Sequence, residues 1–468
     1  MNPLPLSRIA QWAGGHLRGG DVLIDAIATD TRTLDASDGR SALFVALKGE
    51  RFDGHEHVGP AADLGARAAL VSHVVDAPLP QVVVADTERA LASLAAAMQH
   101  ARTGKVVAIT GSNGKTSVKT LLLSILQRTG KAYANPGNRN NEIGLPLAVI
   151  DAPDDADFAI YEMGAGKPGD IAYLTAVVRP DVALVNNVAP AHLERMGSLL
   201  GVADTKAAIY DALPADGVAV INADDAFAPY FGERAHGRHL IRFALDAVAD
   251  VSARDLHFAD DSMHFRLVTP QGEAAAMVPL PGRHNVANAL AAAALALACG
   301  VSLEDIVAGL RDVQPVAGRL VRHRLDNGAV LIDDSYNANP GSLNAAIDTL
   351  ASAPGESWLV LGDMRELGAD AQALHEAAGR RARDAGIARL YALGPLSAAA
   401  AGAFGDGAHA FASHDVLVAA LRADLHAGVR VLVKGSRGSA MDRIVTALLP
   451  AAMEQNALQG KGTASNAA

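Results

Sequence analysis

One cysteine, Cys299, occurs in 468 residues. A single thiol closes no internal disulfide, and without a Cys/His cluster the chain has no zinc-site spacing. The Ala/Leu-rich surroundings of Cys299 mark it as a small apolar residue rather than a nucleophile. Basic residues are outnumbered 40 to 51, for a formal charge of -11, and the two signs are interspersed. The basic stripe that gathers nucleic-acid phosphates is missing. The longest apolar stretch, residues 287–299, is too short and too rich in alanine to span a bilayer. The first residues, Met1-Asn2-Pro3-Leu4, lack the charged and apolar regions of a signal peptide, and no internal repeat is found. The expectation is a cytoplasmic chain, monomeric, with no nucleic-acid partner and no membrane insertion.

Half of the residues are apolar, enough for each of about three domains to bury a core. Residues 1–86 contain short strand-like runs at 42–47, 68–71 and 81–84, and read as a small α/β domain. Residues 87–102 form a helical pattern entered through Asp86-Thr87. From there, strand patterns at 105–110, 158–161, 182–185 and 218–221 alternate with helical ones. That alternation predicts a parallel sheet with helices on both faces. A long helix is expected from 285 to 298. After Arg311 the pattern restarts, with strands at 330–332, 358–361, 389–392 and 431–433. The fold class is therefore α/β with three domains, 1–86, 87–317 and 318–453. Residues 454–468, small and polar, are expected to be disordered.

The strand at 105–110 runs into Gly111-Ser112-Asn113-Gly114-Lys115-Thr116-Ser117. Glycines let backbone N–H groups approach phosphate oxygens, and the helix that follows offers its positive N-terminus. Lys115 is placed to reach the outer phosphates of ATP, and the Thr116 hydroxyl to ligate Mg²⁺. The strict phosphate-loop pattern has a further glycine where Ile109 stands, so this is the shorter GxxGKT form. Kinases, ATPases and ligases share such a loop, and other residues must decide among them.

Glu162 follows the strand pattern at 158–161. Ligands of open parallel sheets sit beyond the carboxyl ends of strands, which makes Glu162 a candidate Mg²⁺ ligand. His192 comes one loop after the strand at 182–185. Mg²⁺ prefers oxygen, so His192 reads equally as a metal ligand and as a capping or core histidine. Lys206, in a helical stretch at 202–210, reads on its own as a surface lysine.

These segments, with residues 29–32, 43–53, 137–144, 186–194, 281–285, 333–340, 362–364 and 433–437, resemble the Mur ligases along almost the whole chain, and among them the members that add a dipeptide. The resemblance implies a UDP-sugar domain, a central ATPase domain and a C-terminal domain that closes over the site, hinged near Gly318. It implies ATP-dependent joining of D-alanyl-D-alanine to UDP-N-acetylmuramoyl-tripeptide through an acyl phosphate, in peptidoglycan precursor synthesis. By similarity, Thr116, Glu162 and His192 serve two Mg²⁺ ions, and Lys206 matches a lysine that several of these ligases carbamoylate. Asn288 matches an adenine contact, while Arg319 and Asp334 match contacts to phosphate and ribose across the domain interface. Thr31, Arg32, Lys48 and Gly49 match the UDP region. Asn138, Asn140, Asn141, Asn337, Asn339, Lys434 and Arg437 match substrate-binding segments. Lys115, His192 and Lys206 are the implied catalytic set. Arg139 departs from the apolar residue expected there and is read as facing solvent.

Three other readings are weighed. The ligase that adds the third amino acid commonly carries an Asp-Asn-Pro-Arg run, absent here. Folylpolyglutamate synthases place the phosphate loop near the N-terminus. A non-catalytic ATP-binding scaffold has no need to keep Glu162, His192 and Lys206 together.

Overall fold

The computed structural model describes residues 1–190, 193–259 and 262–449. The expected disordered tail at 454–468 and the last residues of the expected third domain lie outside the described residues.

The first sheet has five strands in the order His16–Arg18, Gln81–Val83, Ala68–Val71, Ala42–Val45, Ala26–Ala28. All pairs are parallel except that made by His16–Arg18. Alternation along the strands divides two cores. Leu43, Val45, Leu70 and Val82 point into one apolar cluster. Phe44, Ala69 and Val71 point into another, with Val58 and Ala61 of the Val58–Asp63 helix.

The Thr87–His100 helix joins this unit to the next. Asp86 caps it by accepting from Arg89 N at 3.0 Å, leaving fewer N-terminal amides without partners. Thr87 Oγ1 donates to Ala46 O at 2.9 Å. Leu91, Leu94 and Ala95, spaced for one helix face, belong to the same apolar cluster as Leu6 and Ile9 on one side and Leu145, Ile171 and Leu174 on the other. The core is thus continuous between the two units.

The second sheet has nine strands. From one edge these are Ala132–Ala134, Phe158–Glu162, Lys105–Thr110, Val182–Val185, Val218–Asn222, His239–Ala244, Val251–Ala259, Ser262–Thr269 and Gly272–Val278. The four strands expected from the alternation do pair in parallel, and the sheet extends beyond them. Pairing is parallel as far as Val251–Ala259, but the last two strands run antiparallel. Only Pro270 and Gln271 separate the final pair, and a connection that short cannot make a parallel crossover. The face pattern is again two-sided. Val107 and Ile109 pack with Val118, Leu122 and Leu290 of the Lys115–Leu126 and Arg283–Ala298 helices. Val106 and Ala108 join the first cluster.

The third sheet has six strands in the order Val321–Arg324, Val330–Asp334, Val429–Lys434, Glu356–Gly362, Arg389–Leu393, Ala408–Phe411. Only Val321–Arg324 is antiparallel to its neighbour. Trp358, Val360 and Val431 line one side, and Leu359, Leu361 and Leu432 the other. Gly318, at φ 74, lies between the two larger sheets. A Cβ there would come within 3.1 Å of Tyr336 Cβ, so the crossing suits glycine for both backbone and space.

Two readings of single residues are corrected. Arg139 does not face open solvent: its side chain is 20% exposed and pairs with Asp151 at 2.7 Å. Lys206 is not a surface lysine, being 3% exposed inside the Leu199–Asp211 helix. That helix packs inward through Val202, Ala203, Ala207 and Tyr210, and residue 206 shares the face with 202, 203 and 210.

Candidate functional site

The carboxyl ends of the parallel strands from the two larger sheets open into one cavity of about 700 Å³. Residues 111–117, Glu162 and Lys206 line it from the nine-stranded unit, and Arg319, Asp334, Asn337, Asn339 and Lys434 from the six-stranded one. Asn140, Asn141 and Asn288 also line it. Thr31, Arg32, Lys48, Gly49, Asn138 and Arg437 are not part of its wall. His192 lies outside the described residues.

The loop geometry follows from two glycines. Gly111 and Gly114 have φ 150 and 78. A Cβ on Gly114 would sit 2.3 Å from Asn288 Oδ1 and 2.5 Å from Asn186 Nδ2. The loop is braced from the neighbouring strand end. Asn187 Oδ1 accepts from Asn113 N at 2.8 Å, and Asn186 Nδ2 donates to Asn113 O at 3.0 Å. Ser112 Oγ accepts from Ala189 N at 2.9 Å. Asn186 Nδ2 also lies 3.2 Å from Asn288 Oδ1, so Asn288, 6% exposed, is held by the loop brace. Lys115 Nζ donates to Gly111 O at 2.7 Å.

Glu162 is the last residue of its strand and 3% exposed. Its Oε2 accepts from Thr116 Oγ1 at 2.8 Å and lies 3.2 Å from Lys119 Nζ. Its Oε1 accepts from Asn140 Nδ2 at 2.9 Å. Burial pushes this carboxyl up, but Lys119, Lys115, the Thr116 hydroxyl and Arg319 together outweigh it and hold it below the usual range, ionised at neutral pH. Lys115 is pushed down by burial, against the pull of Glu162. Lys206 is pushed well below the ordinary lysine value by burial and then by the charge of Lys115. Among the described residues nothing hydrogen-bonds its Nζ.

The six-stranded unit reaches the loop at two points. Arg319 Nη2 donates to Thr116 Oγ1 at 2.9 Å, and Asn339 Nδ2 to Asn113 Oδ1 at 2.7 Å. The Arg319 guanidinium lies over the Tyr336 ring at 4.4 Å, with Arg437 5.9 Å from the same ring. Leu320, next in the chain, has φ 55, a conformation costly for a leucine. Lys434 Nζ donates to Asp334 Oδ2 at 2.5 Å and to Asn337 O at 3.0 Å. Burial pushes Asp334 up, against the pull of Lys434.

In the first unit, Thr31 opens a short turn and Arg32 pairs with Asp30. Lys48 lies 3.6 Å from Asp53, and Gly49 packs against Phe52. These residues follow the carboxyl ends of the strands Ala26–Ala28 and Ala42–Val45, on one edge of their sheet.

Sequence reasoning missed Lys119, Asn135, Asn186, Asn187 and Tyr336. Asn186 and Asn187 carried a usable signal, since two amides directly after a buried strand stand at its carboxyl edge. Lys119 and Asn135 carried none, because only packing buries them.

One end of the cavity presents loop amides, a helix N-terminus and cations, a chemistry suited to an anion, and beside it the oxygens of Thr116 and Glu162 are of the kind that suit a hard cation. Comparison with known proteins identifies the family. The description of a Mur ligase middle domain matches residues 109–296, and that of a Mur ligase, glutamate ligase domain, matches residues 318–437. The UDP-N-acetylmuramoyl-tripeptide–D-alanyl-D-alanine ligase of Escherichia coli is 43% identical over 451 residues, covering 96% of this chain and 99% of that one. The crystal structure of MurF from Acinetobacter baumannii superposes with a TM-score of 0.90 at 34% identity, covering 96% of this chain and 99% of that chain. MurF from Thermotoga maritima, solved in complex with ADP, gives 0.81 at 26% identity, with 90% and 96% covered. With both domain descriptions matched in order around one phosphate-loop cavity, and with full-length relatives on either count, the chain belongs to the Mur ligase family.

Proposed function

We propose that this chain is an ATP-dependent amide ligase that joins D-alanyl-D-alanine to UDP-N-acetylmuramoyl-tripeptide in the cytoplasm, releasing ADP and phosphate. The observation that carries the reading is the meeting of Thr116, Glu162 and Arg319 at one cavity whose walls come from both larger sheets. The relatives named above make this reaction the family's expected one at such a site.

A carboxylate does not react with an amine until it has a leaving group. On this reading the tripeptide carboxylate attacks the γ-phosphorus of ATP, the bond to the ADP oxygen breaks, and an acyl phosphate forms. The neutral amine of D-alanyl-D-alanine then attacks the acyl carbon, the bond to phosphate breaks, and one proton is released. The loop amides and the N-terminus of the Lys115–Leu126 helix hold the phosphates. Lys115 offsets charge as it builds on the transferred group. Asn288 lies beyond the loop, at the expected adenine end, and Arg319 and Asp334 approach the nucleotide from the six-stranded unit. Closure of the six-stranded unit over the cavity keeps water from the acyl phosphate.

The donors suit Mg²⁺. Thr116 and Glu162 present oxygens 2.8 Å apart, and Mg²⁺ characteristically takes one or two protein oxygens with substrate phosphates and waters. When bound, Mg²⁺ supplies positive charge to the phosphate oxygens. The amine of Lys206 does not suit such a site, but its carbamate does. Addition of CO₂ to the neutral Nζ forms an N–C bond, releases a proton and leaves an anionic oxygen ligand. The depressed basicity of Lys206 favours that neutral amine.

The test is phosphate release from ATP by the purified chain. Release is expected only when UDP-muramoyl tripeptide and D-alanyl-D-alanine are both present. Equal release without the dipeptide overturns the proposal.

A further inference from the structure

Lys119 is 5% exposed and lies one helical turn beyond Lys115 on the same helix face. Its Nζ donates to Asn135 O at 2.8 Å and to Gly137 O at 3.3 Å, and stands 3.2 Å from Glu162 Oε2. Two of its donors go to backbone carbonyls, and its charge pairs with the Glu162 carboxylate. The residues it touches are themselves interlocked. Asn135, 1% exposed, accepts from Glu162 N at 2.8 Å and donates to Glu162 O at 3.1 Å and to Arg139 O at 2.8 Å. Asn140 donates to Glu162 Oε1 and accepts, through its carbonyl, from Gly164 N at 2.8 Å. The turn at 135–141 and the strand end bearing Glu162 are therefore hydrogen-bonded into one piece. Two side chains of the phosphate-loop helix reach this piece: Thr116 touches Glu162 alone, whereas Lys119 touches both the turn and Glu162.

We infer that Lys119 is a positioning residue, which fixes the aim of the Glu162 carboxylate relative to the phosphate loop. The inference rests on the reading that the cavity takes a nucleotide with a divalent cation. A buried ion pair is by itself weak evidence of stabilisation; here three acceptors from two segments converge on one ammonium, which specifies geometry. Two effects of removing it have opposite signs. Loss of a positive charge beside Glu162 strengthens divalent binding, whereas loss of aim weakens it.

The experiment is ADP binding by calorimetry across a Mg²⁺ titration, for wild type and Lys119→Met. The Mg²⁺ concentration at half-maximal binding is expected to rise about tenfold in the variant, as for outer-sphere partners that orient metal ligands. A midpoint that falls, stays, or rises less than about threefold, well short of that range, overturns the inference. If Lys119→Met does not fold, the same midpoint read on Lys119→Gln decides, because an amide donates to one of the carbonyls but cannot span all three acceptors. A wild-type chain that binds no ADP at any Mg²⁺ concentration overturns the nucleotide reading, and this inference with it.

Discussion

The side-chain amide of Asn339 donates to Asn113 Oδ1 across 2.7 Å, so the residue that caps the Pro340–Ala351 helix of the six-stranded unit touches the phosphate loop of the nine-stranded one. The same amide is a helix cap. Its Oδ1 accepts from Ser342 N at 2.9 Å, and Ser342 Oγ accepts from Asn339 N at 3.1 Å. Capping uses the oxygen and the loop contact uses the nitrogen, so the two roles separate by substitution. Asn339→Asp keeps the acceptor and loses the donor, and brings a carboxylate toward Asn113 Oδ1. It is expected to unfold near the wild-type temperature while the KM for ATP rises severalfold. Asn339→Ala loses both roles and about 1 kcal/mol of cap stability besides. A wild-type KM for ATP in Asn339→Asp contradicts the contact's role in nucleotide binding.

Gly114→Ala places a methyl group 2.3 Å from Asn288 Oδ1 on a backbone at φ 78. The left-handed conformation alone costs roughly 1–2 kcal/mol, and the clash displaces the amides that brace the loop. Gly111→Ala also strains a backbone at φ 150, but it meets its nearest atom, Asn186 Cβ, only at 3.0 Å. ADP binding, measured by calorimetry on folded protein, is expected to disappear in Gly114→Ala and to weaken less in Gly111→Ala. The reverse order speaks against the loop geometry described above.

Lys206 buries an amine that no described residue hydrogen-bonds. Lys206→Met keeps the stem and removes the polar end. In CO₂-depleted neutral buffer it is expected to raise the unfolding temperature while abolishing ligation. In Lys206→Ala, formate or acetate is expected to restore part of the activity by supplying the missing carboxylate oxygens. No rescue by either acid, with the fold intact, counts against the carbamate.

Burial, and then the charge of Lys434, push His284 down to about 4, against a weaker pull from Asp348. In the unfolded chain a histidine titrates near 6.5, roughly. Between those values the unfolded state binds more protons, so stability rises with pH across the window. This contribution is complete above about 6.5 and is lost as pH falls toward about 4. Unfolding temperatures of wild type and His284→Gln, taken across that window, are expected to converge or cross as pH falls, because the variant lacks this titration. Parallel curves contradict the depressed imidazole.

Much of the frame was legible from residue order. Buried runs such as residues 106–110 and 182–185 read as strands because every position is apolar or small, and the structure places them side by side. The strands at 251–278 were not read. Their buried positions alternate with Arg254, Arg266 and Glu273, so no run announced them, and a two-residue turn made them antiparallel. The cavity wall was legible where a chemical motif carried it, in the phosphate loop, Glu162 and the motif that ends at Asn339 and Pro340.

What the sequence determined by itself was local: which segments bury, where glycine frees a backbone to approach phosphate, and which oxygens suit a hard cation. Tertiary structure alone decided the rest. Lys206 becomes a basicity-depressed amine only because its helix turns that face into the core beside Lys115. Lys119 becomes a fastening between two segments only because the strands Ala132–Ala134 and Phe158–Glu162 pair in register and bring Asn135 to Glu162. Charge and hydrogen-bond capacity are properties of a residue, whereas desolvation and the identity of a partner are properties of the packing around it.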